Sequence, residues 1–120
     1  MQEAQRWVKE FNDARQWNSV GTIKDLMLNM NEEIGEMWHI IKWVDEKKQA
    51  EMIAEHKDEV ENFIGDMQYL ILKIAAICDV DSKKAIKDVM EEYEQRFPLE
   101  KTRGTHGNVR AGGIDLKHNV

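Results

Sequence analysis

Proline and cysteine are almost absent from this chain of 120 residues, which contains one of each. Because Pro98 is the only proline, residues 1–97 contain none of the side chains that break a helix interior. The single cysteine, Cys78, excludes an intramolecular disulfide, and its place in an apolar run predicts a buried small side chain. No run approaches the roughly 18 apolar residues of a membrane span. The charged amino-terminal segment also lacks an apolar signal-peptide core, so we expect no membrane contact and a cytoplasmic location.

Positive charge is also scarce. The chain has 17 Lys and Arg against 23 Asp and Glu, a formal net charge of −6, which disfavours a nucleic-acid polymer as the partner. An acidic protein can still bind an anionic phosphate ligand if divalent cations neutralise the charges between them. A hydrophobic content of 42% with 33% charged residues is typical of a soluble, helix-rich domain.

Apolar periodicity predicts four helices, and no segment has the alternation of a strand ladder. The predicted helices cover roughly residues 2–17, residues 23–47, a third segment from after DEKKQAE to about residue 79, and residues 82 to about 96. Thr22 followed by Asp25 resembles a capping box at the start of the second helix. The expected class is therefore all-α, as a four-helix bundle.

The chain changes character at Pro98. Residues 98–120 contain four glycines and no apolar periodicity, so we predict a helical domain over 1–97 and a tail over 98–120 that is mobile or packed on a partner subunit. The stretch MQYLILKIAAIC at 67–78 is apolar almost all the way round, which predicts burial on more than one side and a homo-oligomer.

Helical spacing also predicts which side chains form the core. The stripe of the second helix consists of Ile23, Met27, Met30, Ile34, Met37, Ile41 and Val44, and that of the third of Val60, Ile64, Met67, Ile71 and Ile74. Trp7 and Trp38 are assigned to packing.

The stretch NEEIGEMWHIIKW, residues 31–43, places three carboxylates, Glu32, Glu33 and Glu36, within two turns of a helix. A neighbouring stripe of the third helix carries Asp66 together with Glu55, Glu59, Asn62 and Lys73. Antiparallel packing would bring Asp66 opposite the glutamates, where the carboxylates repel one another unless cations such as Mg²⁺ neutralise them. A solvated acidic face is the alternative interpretation of the same spacing.

Two glycines favour the site interpretation. Gly35 and Gly65 each lie in the middle of a predicted helix and directly precede an acid of the proposed set. Glycine there costs about 0.5 to 1 kcal/mol relative to alanine. The pairing predicts a close backbone approach at each position.

These residues resemble a known family. NEEIGEMWHIIKW is similar to the Glu-Glu-x-x-Glu helix of the MazG-like all-α nucleoside triphosphate pyrophosphohydrolases, and IGDMQYLILKIAAICDVD to the helix that carries their Glu-x-x-Asp. The resemblance is greatest to the dCTP pyrophosphatase subgroup, because FNDARQW, VDSKKAI and QRFPLEKTRG also match, and it covers about residues 7–107.

The resemblance implies a dimer or a dimer of dimers that binds Mg²⁺, for which Mn²⁺ can substitute, and cleaves a nucleoside or deoxynucleoside triphosphate to the monophosphate and pyrophosphate. It implies metal ligation by Glu32, Glu33, Glu36 and Asp66, with Glu33 as the general base. Trp17 and Trp43 match aromatic positions that stack on the base.

The chain departs from the family pattern at several positions. Phe63 stands where the Glu-x-x-Asp has its glutamate, and Asn62, one turn from Asp66, is the candidate that could coordinate instead through its carbonyl oxygen. Glu59 is about 10 Å from Asp66 along the helix axis, too far to replace that glutamate at one ion. Val89 and Tyr93 replace a lysine and an asparagine near the phosphates. Positive charge for the substrate is then expected from Lys73, from Lys42, or from Lys101 and Arg103.

Two other functions fit the same residues. Glu36 and His39 form a Glu-x-x-His unit of the kind that di-iron carboxylate bundles use in pairs. The departures from the family pattern also fit a non-catalytic nucleotide-binding or structural oligomer. In the preferred interpretation the protein hydrolyses nucleoside triphosphates in the control of nucleotide pools.

Overall fold

The structure is a computed structural model that describes residues 2–19 and 22–104. Within these ranges the chain forms helices and no strands, which confirms the all-α class for this part of the protein. The described helices are α1 (Glu3–Ala14), α2 (Ile23–Ile41), α3 (Glu46–Glu55), α4 (Lys57–Ile77), α5 (Ser82–Arg96) and α6 (Leu99–Thr102). None of them is long and apolar enough to cross a membrane.

The chain divides into two compact units, the first ending at Ser82 and the second beginning at Lys83. In the first unit, α4 packs against both α1 and α2, and α3 packs against α2 and α4. The second unit contains nearly all of α5 and the short α6, which lies in the segment predicted as a tail. Residues 105–120 of that predicted tail lie outside the described residues.

The third predicted helix is in fact two helices. The stretch DEKKQAE, predicted to be a connection, supplies most of α3, and a break at His56 separates α3 from α4. The Asp45 side chain caps α3 by accepting a hydrogen bond of 2.8 Å from the backbone N–H of Lys48. Charged residues such as Glu and Lys favour helices when a cap starts the first turn, so charge alone did not mark a loop.

The predicted capping box at the start of α2 is wrong. Thr22 has helical backbone angles and its side chain makes no cap hydrogen bond. Its hydroxyl instead donates a hydrogen bond of 2.7 Å to the carbonyl of Ser19.

A Schellman motif ends both α1 and α4. At the end of α1, Gln16 adopts a left-handed conformation with φ of 56°, and the backbone N–H of Trp17 donates to the carbonyl of Asn12 at 3.0 Å. At the end of α4, Asp79 takes the same role with φ of 53°, and Val80 donates to Ala75 at 2.9 Å. The first of these motifs fixes the position of Trp17.

Gln5 ties the start of α1 to the end of α4. Only 1% of this residue is exposed, and its amide nitrogen donates to the carbonyl of Val80 at 2.8 Å. Its amide oxygen accepts from the backbone N–H of Ser82 at 2.9 Å and from the Ser82 hydroxyl at 2.6 Å. One buried side chain therefore satisfies three polar groups at the turn after α4.

The core differs from the predicted stripes. The buried apolar side chains of the described residues are Leu26, Leu70, Leu72 and Ala75. Large apolar residues that were predicted to be packed are instead exposed in the single chain, namely Trp7, Met27, Ile34, Trp38, Ile64 and Ile71. Cys78, the C-cap residue directly after α4, is also exposed. Periodicity identifies an apolar face but does not distinguish a face within one chain from a face that meets a partner.

Candidate active site

The predicted carboxylates of α2 and α4 do meet across the packed pair of helices. Glu33 of α2 is half-buried, and its carboxyl lies within hydrogen-bonding reach of that of Asp66 on α4. Glu32 and Glu36, one residue before and three residues after Glu33, are exposed and close enough to act on its charge. Four predicted ligands therefore lie together on one side of the α2 and α4 pair.

This arrangement changes the acidity of Glu33. Removal from water raises the pKa of the Glu33 carboxyl above its ordinary value, and the negative charges of Glu36, Asp66 and Glu32 raise that pKa further. Two facing carboxylates can form a hydrogen bond only if one of them holds a proton. A carboxyl with a raised pKa is also a stronger base once it is ionised, which suits a group that accepts a proton.

Asn62, the predicted substitute ligand, contacts Asp66 directly. Its side-chain amide donates a hydrogen bond of 2.9 Å to Oδ2 of Asp66 one turn further along α4. The bond restrains the carboxylate of Asp66 and leaves the carbonyl oxygen of Asn62 as the atom of this residue that could face a cation.

The expected close approach at the two glycines is wrong for the single chain. A Cβ added to Gly35 or to Gly65 would meet nothing within 4 Å. Both glycines line open hollows beside the carboxylates, Gly35 with Glu36 and Gly65 with Asp66. The absent side chains widen access to the acids and do not let two helix backbones approach each other.

A cavity of about 260 Å³ lies between α2 and α4 next to the carboxylates. Glu33 and Glu36 line it from α2, and Phe63 lines it from the position where the family pattern has a glutamate. Asp58 and Glu59, one turn nearer the start of α4, line the same cavity. Spacing along the helix did not identify Asp58, and Glu59 was judged by its distance from Asp66 although it lines the same cavity as Glu36.

The candidate donor atoms are of the chemical type that binds a hard divalent cation. All candidate donors are carboxylate or amide oxygens, the ligands that Mg²⁺ prefers, and the mutual repulsion recorded in the pKa of Glu33 would be relieved by a cation. In the described ranges, no three Asp, Glu, His or Cys side chains are already arranged as a metal-binding group. A cation would therefore have to draw these flexible side chains together.

Trp17 and Lys73, predicted separately as substrate-binding residues, lie in contact. The ammonium nitrogen of Lys73 on α4 is 5.6 Å from the centroid of the Trp17 ring, within the range of a cation–π interaction. Phe11 contacts the same indole edge to face, with ring centroids 6.0 Å apart. Half of Trp17 remains exposed, so part of its ring is available to a ligand.

A buried hydrogen-bond chain supports this aromatic cluster. Asn12 is fully buried, and its amide nitrogen donates to the carbonyl of Val8 at 2.8 Å. The oxygen of the same amide accepts a bond of 3.1 Å from the hydroxyl of Tyr69, whose ring packs edge to face on Phe11. The platform that carries Trp17 is therefore fixed to α4 by polar and aromatic contacts.

The remaining predicted substrate residues are exposed. Trp43, just after α2, is 88% exposed, and its one described ring contact is the ammonium of Lys42 at 5.8 Å. Lys101 on α6 and Arg103 directly after it are exposed in the second unit. No described contact joins Trp43 to the carboxylates.

Comparison with known proteins gives one consistent result. The chain is 23% identical over 107 residues to dCTP pyrophosphatase 1 of Rattus norvegicus and to that of Mus musculus, and 22% identical to that of Bos taurus. Each match covers 88% of this chain and 63% of the relative, so the chain spans less than two thirds of the length of these proteins. No family model matches the chain, and no solved structure matches it. The similarity supports a relationship to nucleotide pyrophosphatases.

Proposed function

We propose that this protein hydrolyses a nucleoside or deoxynucleoside triphosphate to the monophosphate and pyrophosphate, using Mg²⁺, and that it acts in the control of nucleotide pools. The observation that most strongly supports this proposal is that Glu33 of α2 and Asp66 of α4 lie next to each other, with Glu32 and Glu36 nearby. The similarity to dCTP pyrophosphatase 1 supports the same reaction class.

The carboxylates divide the work of the site between them. Glu32, Glu36, Asp66 and the carbonyl oxygen of Asn62 would hold Mg²⁺ together with Glu33. When bound, the ion would offset the charge of the triphosphate and polarise its phosphate oxygens. Glu33 acts as the general base and accepts a proton from the attacking water. Asn62 keeps Asp66 oriented through its hydrogen bond of 2.9 Å.

Asp58 and Glu59 replace the carboxylate that is missing at Phe63. Both line the cavity that Glu36 also lines, so their oxygens can reach a cation held on the Glu36 side. The site thereby keeps its acidic character although one expected ligand is a phenylalanine.

The substrate's base stacks on Trp17, whose ring is half exposed and held by Phe11. Trp43, Lys101 and Arg103 are exposed and stay candidates for contact with the substrate. A homodimer or homotetramer also fits the apolar stripe of Met27, Ile34 and Trp38, which recurs on one face of α2 and is exposed in the single chain.

A panel of canonical and modified nucleoside triphosphates, assayed for pyrophosphate with Mg²⁺ or Mn²⁺, tests this function. We expect release of pyrophosphate and monophosphate from at least one nucleotide, lost on chelation and lowered by at least a hundredfold in Glu33→Gln and Asp66→Asn. The matched control is Glu91→Gln, an exposed glutamate of α5. Absence of turnover on every nucleotide, with nucleotide binding intact in both site variants, would instead identify a non-catalytic binding protein.

A further inference from the structure

Lys73 of α4 is a buried cation. It is 8% exposed, and within the described part of the chain it makes no ion pair or hydrogen bond, only its contact with Trp17. Burial of an ammonium without an acceptor is costly, and a lysine reduces that cost by burying its stem while its head reaches water. The fully buried, unpartnered side-chain atoms of the described residues do not include the Lys73 nitrogen, so the head keeps access to solvent.

Lys73 and Asp66 lie on the same face of α4. They are seven residues apart, close to two full helical turns, which separates them by about 10 Å along the axis. The stripe therefore has an acidic end at Asp66 and a cationic end at Lys73. A nucleotide whose phosphates lie at the carboxylates and which extends along α4 would bring its base to the ring of Trp17.

The two residues at that end have complementary properties for a base. The ring of Trp17 offers an exposed stacking surface, and its position is fixed by the Schellman motif at Gln16. The ammonium of Lys73 lies over that ring at 5.6 Å from its centroid, so a base that stacks on the exposed part of the ring comes within reach of the ammonium. Lysine carries three donors and no acceptor, so it attracts a carbonyl oxygen of a base and repels an amino group.

We propose that Lys73 selects the base of the substrate by donating a hydrogen bond to its exocyclic carbonyl oxygen, an inference that rests on the proposed function. Uracil, thymine and guanine present such an oxygen where cytosine and adenine present an amino group. The protein therefore prefers keto bases, which distinguishes it from the relatives named for dCTP.

The test compares dUTP, dTTP and dGTP with dCTP and dATP as substrates of the wild type, Lys73→Met and Lys73→Arg. Methionine keeps the packed stem and removes the donor, whereas arginine keeps the donor. Lys48→Met, at an exposed position of α3, is the control for the loss of one positive charge. We expect the ratio of kcat/KM for keto over amino bases to exceed about 10 in the wild type, to fall at least tenfold in Lys73→Met, and to persist in Lys73→Arg and Lys48→Met.

Two results would overturn the inference while the proposed function stands. The first is a wild-type preference for amino bases. The second is an equal loss of kcat/KM for all five nucleotides in Lys73→Met, which would assign the ammonium to the phosphates. Binding of α,β-imido analogues of dUTP and dCTP, measured by calorimetry, separates the two proposals. If no nucleotide is hydrolysed, a keto preference in binding that Lys73→Met abolishes still supports base selection. Failure of both analogues to bind overturns both proposals.

Discussion

Replacing Glu33 by glutamine is expected to stabilise the metal-free protein at neutral pH while it abolishes turnover. The glutamine has nearly the same size, carries no charge, and can donate a hydrogen bond to Asp66 that the ionised carboxylate cannot. The wild-type side chain is partly removed from water and faces three like charges, so its ionised form is unfavourable in the folded state. Residues placed for function in this way commonly reduce stability.

The magnitude follows from the three neighbours that act on Glu33, namely Glu36, Asp66 and Glu32. Each like-charge pair near a surface costs about 0.3 to 0.5 kcal/mol, so their sum is about 1 kcal/mol. For a domain of this size that corresponds to a rise in Tm of about 5 °C.

The pH dependence has a definite sign. Because the pKa of Glu33 is raised in the folded state, the folded protein binds more protons than the unfolded chain between the ordinary glutamate pKa and the raised value. Wild-type stability therefore falls as the pH rises through that interval. The gain in stability of Glu33→Gln over the wild type should be absent at pH values below the ordinary glutamate pKa and should reach its full size above the raised pKa.

Thermal unfolding in EDTA at a series of pH values between 4 and 8 measures this difference, with Glu91→Gln as the control for the loss of one exposed charge. Addition of Mg²⁺ should then stabilise the wild type more than Glu33→Gln, because only the wild type keeps the full set of carboxylates. Two results would refute the reasoning. One is a Glu33→Gln protein that is less stable than the wild type in EDTA at pH 7.5. The other is a stability difference between the two proteins that is as large at pH 4 as at pH 7.5.

Three further changes test other parts of the structure. Gln16→Gly should raise the free energy of unfolding in urea by about 0.5 to 1 kcal/mol, because glycine adopts the left-handed conformation without strain; an unchanged value would contradict the Schellman geometry. Gln5→Ala should lower that free energy by about 2 to 3 kcal/mol, because it leaves the carbonyl of Val80 and the N–H of Ser82 without partners. A decrease in the free energy of unfolding of less than half of this would show that the hydrogen bonds of Gln5 contribute little. Glu59→Gln should raise the Mg²⁺ concentration needed for half-maximal activity roughly tenfold; an unaltered Mg²⁺ titration would remove Glu59 from the site.

The sequence predicted the acidic half of the site because spacing along a helix determines which side chains share a face. The three glutamates of α2 and the position of Asp66 opposite them follow from the 3.6-residue period and from antiparallel packing alone. The contact between Trp17 and Lys73 did not follow from spacing. It depends on the left-handed turn at Gln16, a residue that gives little sign of that conformation in the sequence.

Burial was harder to predict than helix position. Ile34 and Ile71 lie on apolar stripes but are exposed, whereas Lys73 on the polar stripe is buried. A hydrophobic stripe indicates that one face of a helix is buried from water. The same stripe can be buried in the core of one chain or in the contact between two chains. Asp58 was missed and Glu59 was set aside for a related reason, since the cavity joins them to Glu36 across two helices and not along one.

The central claim is that Glu33 and Asp66 form one metal-binding site for a triphosphate, and anomalous diffraction from Mn²⁺ tests it most directly. Crystals grown with Mn²⁺ and an α,β-imido deoxynucleoside triphosphate should give an anomalous peak at about 2.0 to 2.3 Å from carboxylate oxygens of both residues, with phosphate oxygens on the same ion. A peak that lies elsewhere while the nucleotide is bound, or a bound nucleotide whose phosphates avoid both carboxylates, would contradict the claim.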